Sequence, residues 1–129
     1  MKLNILIVDD EEMLGNILGM NLRSPRGAGI TGSVIVCASV EQAREKLQEM
    51  QELSVLFTDW EMPGGGGAEV IRMVREKFPH VFVIAMTGRP TNAPAIHEHN
   101  PDALLDKPFE LAHAIEAIGK SVLRKTAAA

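Results

Sequence analysis

The sequence predicts an α/β domain, a doubly wound sheet of five parallel strands with helices on both faces. Three observations predict it. Five short apolar runs are continuous rather than alternating, as in strands buried on both faces of a parallel sheet. Amphipathic segments of helical period lie between them. The length of 129 residues suits one domain with a core of its own.

The first run covers residues 3–8 and stops at Asp9-Asp10. Met13, Leu14, Ile17, Leu18 and Leu22 then share one helical face, read as core. Residues 24–32, with Pro25 and three glycines, form a long loop. The second run is 34–38. Ser39, with Gln42 three residues on, is a capping-box pattern, and Val40, Ala43, Leu47 and Met50 make the second stripe. The third run, 55–57, leads to Asp59. Gly64 to Gly67 read as a loop before a helix with Val70, Ile71, Val74 and Phe78 on its apolar face. The fourth run, 81–86, ends at Thr87. Prolines 90, 94 and 101 limit any helix in 89–100 to a short piece near 93–99. The fifth run, 103–105, ends in Asp106-Lys107-Pro108. The last stripe is Leu111, Ala114, Ile115, Ile118 and Val122.

Apolar residues make up 46% of the chain, ordinary for a globular protein. The net charge of −4 and pI of about 5.5 argue against a nucleic-acid or anionic-membrane surface, which needs clustered Lys and Arg. No apolar stretch reaches bilayer length, and residues 1–8 are too short for a signal peptide. The single cysteine, Cys37, has no partner within the chain and reads as a buried core thiol. A cytoplasmic protein is expected.

Ligands in doubly wound folds bind at the carboxyl ends of the strands. Here those ends carry Asp9-Asp10, Asp59, Thr87 and Lys107. Close carboxylates repel unless a cation is present. Mg2+ suits them, since it takes one or two carboxylates and shares a phosphate oxygen. No His or Cys adjoins these positions, which disfavours zinc. A carboxylate nucleophile beside Mg2+, a lysine and a hydroxyl is equipment for phosphoryl transfer onto an aspartate. Singly, each residue has a plain alternative: helix cap, turn residue or solvated lysine. Their coincidence on one sheet edge favours the site.

Four motifs then stand out: ILIVDDEE (5–12), LFTDWEMPGGGG (56–67), IAMTG (84–88) and LLDKPF (104–109). Together they resemble the receiver domain of two-component response regulators, over residues 1–124, with 125–129 left as a C-terminal tail. The resemblance implies a flavodoxin-like sheet of order 2-1-3-4-5 and a stand-alone, chemotaxis-type member. It implies that Asp59 is the phosphoacceptor. Mg2+ is held by Asp10, Asp59 and the backbone carbonyl of Glu61, with Asp9 acting through water. Thr87 is the switch hydroxyl and Lys107 the phosphate-pairing lysine, with Lys107–Pro108 often cis. The implied partners are a sensor histidine kinase or histidine phosphotransfer protein and an unknown downstream protein. Leu104 departs from the pattern, standing where the family has Tyr or Phe; the chain has no tyrosine. The short fourth helix is a second departure, so the output face is expected to be unusual.

Competing readings are a receiver-like binding module that is not phosphorylated and an aspartate-nucleophile phosphatase. Intact Asp10, Asp59, Thr87 and Lys107 count against the first. Glu61, standing where such a phosphatase carries its acid Asp, counts against the second. Glu61 and Arg89 flank the site and form a candidate charge pair across its mouth, with two solvated side chains the preferred reading. Trp60 is a potential fluorescent reporter beside Asp59. His97 and His99 read as a solvated pair, and His80 and His113 as surface residues. Met13, Leu14 and Ile17 make the first helix a candidate docking element for the phosphodonor, and residues 110–124 with Leu104 a candidate output surface.

Overall fold

The computed structural model describes the backbone of residues 2–128 and the side chains of residues 2–124. The strands are β1 (Ile5–Val8), β2 (Val34–Cys37), β3 (Val55–Asp59), β4 (Phe82–Thr87) and β5 (Ala103–Asp106). The helices are α1 (Glu12–Arg23), α2 (Val40–Glu49), α3 (Gly66–Lys77), α4 (Ala93–His97) and α5 (Leu111–Ala128), with a 3-10 turn at Pro90–Asn92. All strand pairs are parallel. Their order is β2-β1-β3-β4-β5, as expected for the flavodoxin-like sheet. α5 continues beyond residue 124 into the segment read as a tail, whose side chains and last residue lie outside the described part.

Alternate residues of β1 to β4 feed two cores, while β5 adds Ala103 and Leu105 to the first. Ile5, Ile7, Phe57, Ile84 and Met86 pack with Leu18 and Leu22 of α1 and Ala114 and Ile118 of α5. Leu6, Val8, Leu56 and Val83 pack with Ala43 and Leu47 of α2 and Val70 and Val74 of α3. Covering both faces explains why these strands read as unbroken apolar runs. Cys37 is buried and in no disulfide, and burial pushes its thiol up. Among the described residues, no helix is long and apolar enough to cross a membrane.

The capping pattern before α2 forms, with one difference. Ser39 Oγ accepts from the Gln42 amide at 3.0 Å, while Gln42 Oε1 accepts from the amide of Ala38 at 2.8 Å. The short fourth helix also forms as expected, five residues long with Pro94 in its first turn.

The apolar face assigned to α1 is corrected. Its buried residues are Gly15, Leu18, Gly19 and Leu22, whereas Met13 is 74% exposed, Ile17 47% and Leu14 45%. Glycine sets this rotation. A Cβ on Gly15 would lie 3.0 Å from a Val36 methyl, and one on Gly19 3.1 Å from the other. The helix therefore lies close on β2 along its small-residue stripe and turns its larger apolar side chains outward. The four-glycine loop is corrected too, since Gly66 and Gly67 are buried in the first turn of α3.

Candidate functional site

The strand ends meet as expected at one edge, and backbone bonds extend each strand into the loop that carries the site. The Asp9 amide donates to Cys37 O at 3.0 Å, Trp60 to Met86 O at 2.8 Å, and Lys107 to Thr87 O at 2.7 Å. At the start of α3, the Gly67 amide donates to Trp60 O at 2.9 Å. Glycine is required at this junction. Gly66 has φ +60°, and a Cβ there would lie 2.4 Å from Trp60 O. The helix start is thus pressed against the backbone that follows Asp59.

Asp59, the last residue of β3, is 4% exposed, and Asp9 is 3% exposed. Asp10 is exposed. Carboxylate oxygens of Asp9, Asp10 and Asp59 lie within 4.8 Å of one another. Lys107 Nζ reaches Asp9 Oδ2 at 2.8 Å, Asp59 Oδ2 at 3.5 Å and Glu11 Oε1 at 3.5 Å. The Lys107–Pro108 peptide is cis. Asp9 also accepts from the Glu11 amide at 2.9 Å, which secures the turn into α1.

One ammonium among these carboxylates leaves a net negative site. Burial pushes the Asp59 carboxyl up to about 7; Lys107 opposes this, while Asp9 and Asp10 add to it. Burial works to lower the Lys107 ammonium, but its bond to Asp9 and the charges of Asp59, Asp9 and Glu11 outweigh it and the net direction is up. Three clustered carboxylates with uncompensated charge form a hard-oxygen donor set that fits a divalent cation.

Thr87 is fully buried at the end of β4, but its hydroxyl is turned to Glu61. Thr87 Oγ1 donates to Glu61 Oε2 at 2.7 Å. The Gly88 amide donates to Glu61 Oε1 at 3.1 Å, and Asn92 Nδ2 donates to Glu61 Oε2 at 3.1 Å. Glu61 is half-buried and Arg89 exposed. Among the described residues no ion pair joins them, so the candidate charge pair is replaced by this three-donor clamp. Proximity in sequence to Asp59 and Thr87 pointed to Glu61, but its uncharged partners carried no signal.

His99 is also corrected. It is half-buried, and its ring meets that of Trp60 edge-on, with centroids 5.2 Å apart. His80, His97 and His113 are exposed as expected. A groove of about 630 Å³ opens from Asp9, Asp10 and Asp59 along α1, past Leu14 and Ile17, to Phe109 and Leu111. Leu14 and Ile17, read from the sequence as part of a docking element, thus line the groove that leads to Asp59.

Comparison with known proteins decides the family. The model of the response regulator receiver domain matches residues 5–119. The chain belongs to that family. This receiver is 26% identical over 122 residues to the DNA-binding transcriptional regulator NtrC of Escherichia coli, covering 92% of this chain and 24% of that protein. It thus spans about a quarter of the length of the NtrC relatives it matches. A CheY-like receiver domain protein of Methanospirillum hungatei superposes with TM-score 0.83 at 20% identity, over 100% of both chains. The response regulator TrrA of Thermotoga maritima, in complex with Mg2+-BeF, superposes with TM-score 0.77 at 25% identity, over 94% of this chain and 99% of that one. The receiver domain of two-component systems, expected from the four motifs, is the observed family and fold.

Proposed function

We propose that this receiver is a phosphoaccepting switch: Asp59 takes a phosphoryl group from a phosphohistidine donor in a Mg2+-dependent reaction, and a partner-binding surface changes in response. The observation that carries the reading is Asp59 itself, a carboxylate 5% exposed in its side chain and 3.5 Å from Lys107, within a cluster of three acidic residues. An Oδ atom of Asp59 attacks phosphorus, forming a P–O bond as the P–N bond breaks. The departing imidazole keeps the electron pair and takes up a proton. Lys107 offsets charge on the transferring oxygens, and Thr87 is the hydroxyl assigned to donate to one of them.

Asp10, Asp59 and the Glu61 backbone carbonyl are assigned to hold Mg2+, with Asp9 acting through water. When bound, the ion supplies the positive charge that Lys107 alone does not. The domain catalyses its own phosphorylation and dephosphorylation and turns over no separate substrate. The donor is a sensor histidine kinase or histidine phosphotransfer protein. The exposed apolar face of α1, which borders the groove leading to Asp59, supports docking there. The downstream surface includes α5 and half-buried Leu104.

Acetyl phosphate with Mg2+ tests the chemistry. Intact mass should show one added phosphoryl group on the native protein and none on Asp59→Asn. Equal uptake by the variant overturns the assignment.

A further inference from the structure

We infer that the Glu61 carboxylate is an internal competitor for the phosphoryl group, holding the donors at the end of β4 and the α4 segment in the unphosphorylated arrangement. The inference rests on the phosphoacceptor reading of Asp59 and concerns what must give way when that residue is occupied.

Glu61 takes three hydrogen bonds, from a hydroxyl, a backbone amide and a side-chain amide. This is a small anion site filled by the protein's own carboxylate. It lies beside Asp59, which pairs in register with Met86, the residue before Thr87. Asp59, Glu61 and Gly88 line the same groove. The Thr87 hydroxyl has one proton to donate. Glu61 Oε2 at 2.7 Å is its nearer acceptor, with Arg89 O at 3.2 Å, and a phosphoryl oxygen that takes the proton takes it from Glu61. Phosphorylation therefore displaces Glu61 from Thr87.

Displacement has a second consequence. Through Asn92, Glu61 also holds the 3-10 turn before α4. The neighbouring residue, Trp60, meets His99 just beyond that helix. The two residues after Asp59 thus grip the α4 segment near both ends. A group on Asp59 acts on this segment directly through Trp60 and Glu61. Release of Glu61 loosens its N-terminal end.

The experiment is a beryllofluoride titration of the full chain at fixed, saturating Mg2+, read by Trp60 fluorescence, with hydrogen exchange followed over residues 88–99. Glu61→Ala should bind beryllofluoride about 3- to 10-fold more tightly than the native protein, about 0.7–1.4 kcal/mol by the affinity relation. Its exchange over residues 90–97 without ligand should match that of the liganded native protein. Glu61→Gln keeps the shape and removes the charge, and should show a smaller gain. Glu11→Ala removes a carboxylate that also faces the pocket, 3.5 Å from Lys107, while Thr87, Gly88 and Asn92 keep their bonds to Glu61. If Glu11→Ala tightens binding as much as Glu61→Ala, simple charge removal explains the effect and the inference is overturned. It is also overturned if Glu61→Ala and Glu61→Gln, both folded by circular dichroism, bind no better than the native protein. If none of these proteins binds beryllofluoride, the phosphoacceptor reading itself falls.

Discussion

Asp59 is the residue where fold and chemistry conflict. Its carboxyl titrates at about 7 in the folded chain, against about 3.9 for a free aspartate. Between those values the folded state holds a proton that the unfolded state has lost. Stability from this group is therefore fully present below about pH 4, falls as the pH rises, and is gone above about pH 7. Without metal, Asp59→Asn should stabilise the protein at pH 8 by about 1–3 kcal/mol, with about 4 kcal/mol the ceiling set by the full displacement. The gain should vanish near pH 4. Urea unfolding of both proteins at the two pH values measures it; an equal difference at both would contradict this account. Glu61 and His99 are the residues whose partners the sequence concealed. Glu61 found uncharged donors rather than Arg89, and His99 found an aromatic edge.

The informative elements are those placed by glycine. α1 lies on β2 through Gly15 and Gly19, which sends Met13, Ile17 and Met20 to the surface. Because these side chains are exposed, Met13→Ser with Ile17→Ser should leave thermal stability nearly unchanged. The pair should slow phosphoryl transfer from a histidine-phosphorylated protein at least 5-fold, while the rate with acetyl phosphate stays the same. Slowing of both rates would count against α1 as the donor's docking face. The β3–α3 junction is placed differently. Gly66 combines positive φ with backbone contact to Trp60 O. Gly66→Ala should therefore cost about 2–3 kcal/mol and shift Trp60 emission. Chemical denaturation gives the first quantity and steady-state fluorescence the second.

Across the whole molecule, the sheet turns four loops into one site. Lys107 and Asp9 are 98 residues apart in sequence, yet joined by a 2.8 Å hydrogen bond. A ligand that binds the folded chain alone stabilises it by mass action. Mg2+ should therefore raise the melting temperature, and by more at pH 8 than at pH 5, because protons compete for Asp59. Thermal scans with and without Mg2+ at the two pH values measure this. A larger gain at pH 5 would contradict the carboxylate assignment. The NtrC relatives are about four times as long as the matched region. The DNA binding of those regulators belongs to the whole proteins.

The sequence by itself determined the five strands, the residues at their ends and the family. Continuous apolar runs are legible because a parallel sheet buries both faces. Motif residues at strand ends are legible because the fold has one edge for ligands. Tertiary structure alone decided which face of α1 is buried, where the third helix starts, and which groups Glu61 and Thr87 address. Hydrophobicity gives small residues little weight, so a glycine stripe at a close helix–sheet contact is invisible to it. A hydrogen bond between residues 26 apart leaves no periodic trace. Its partners are chosen only when β3 and β4 lie side by side.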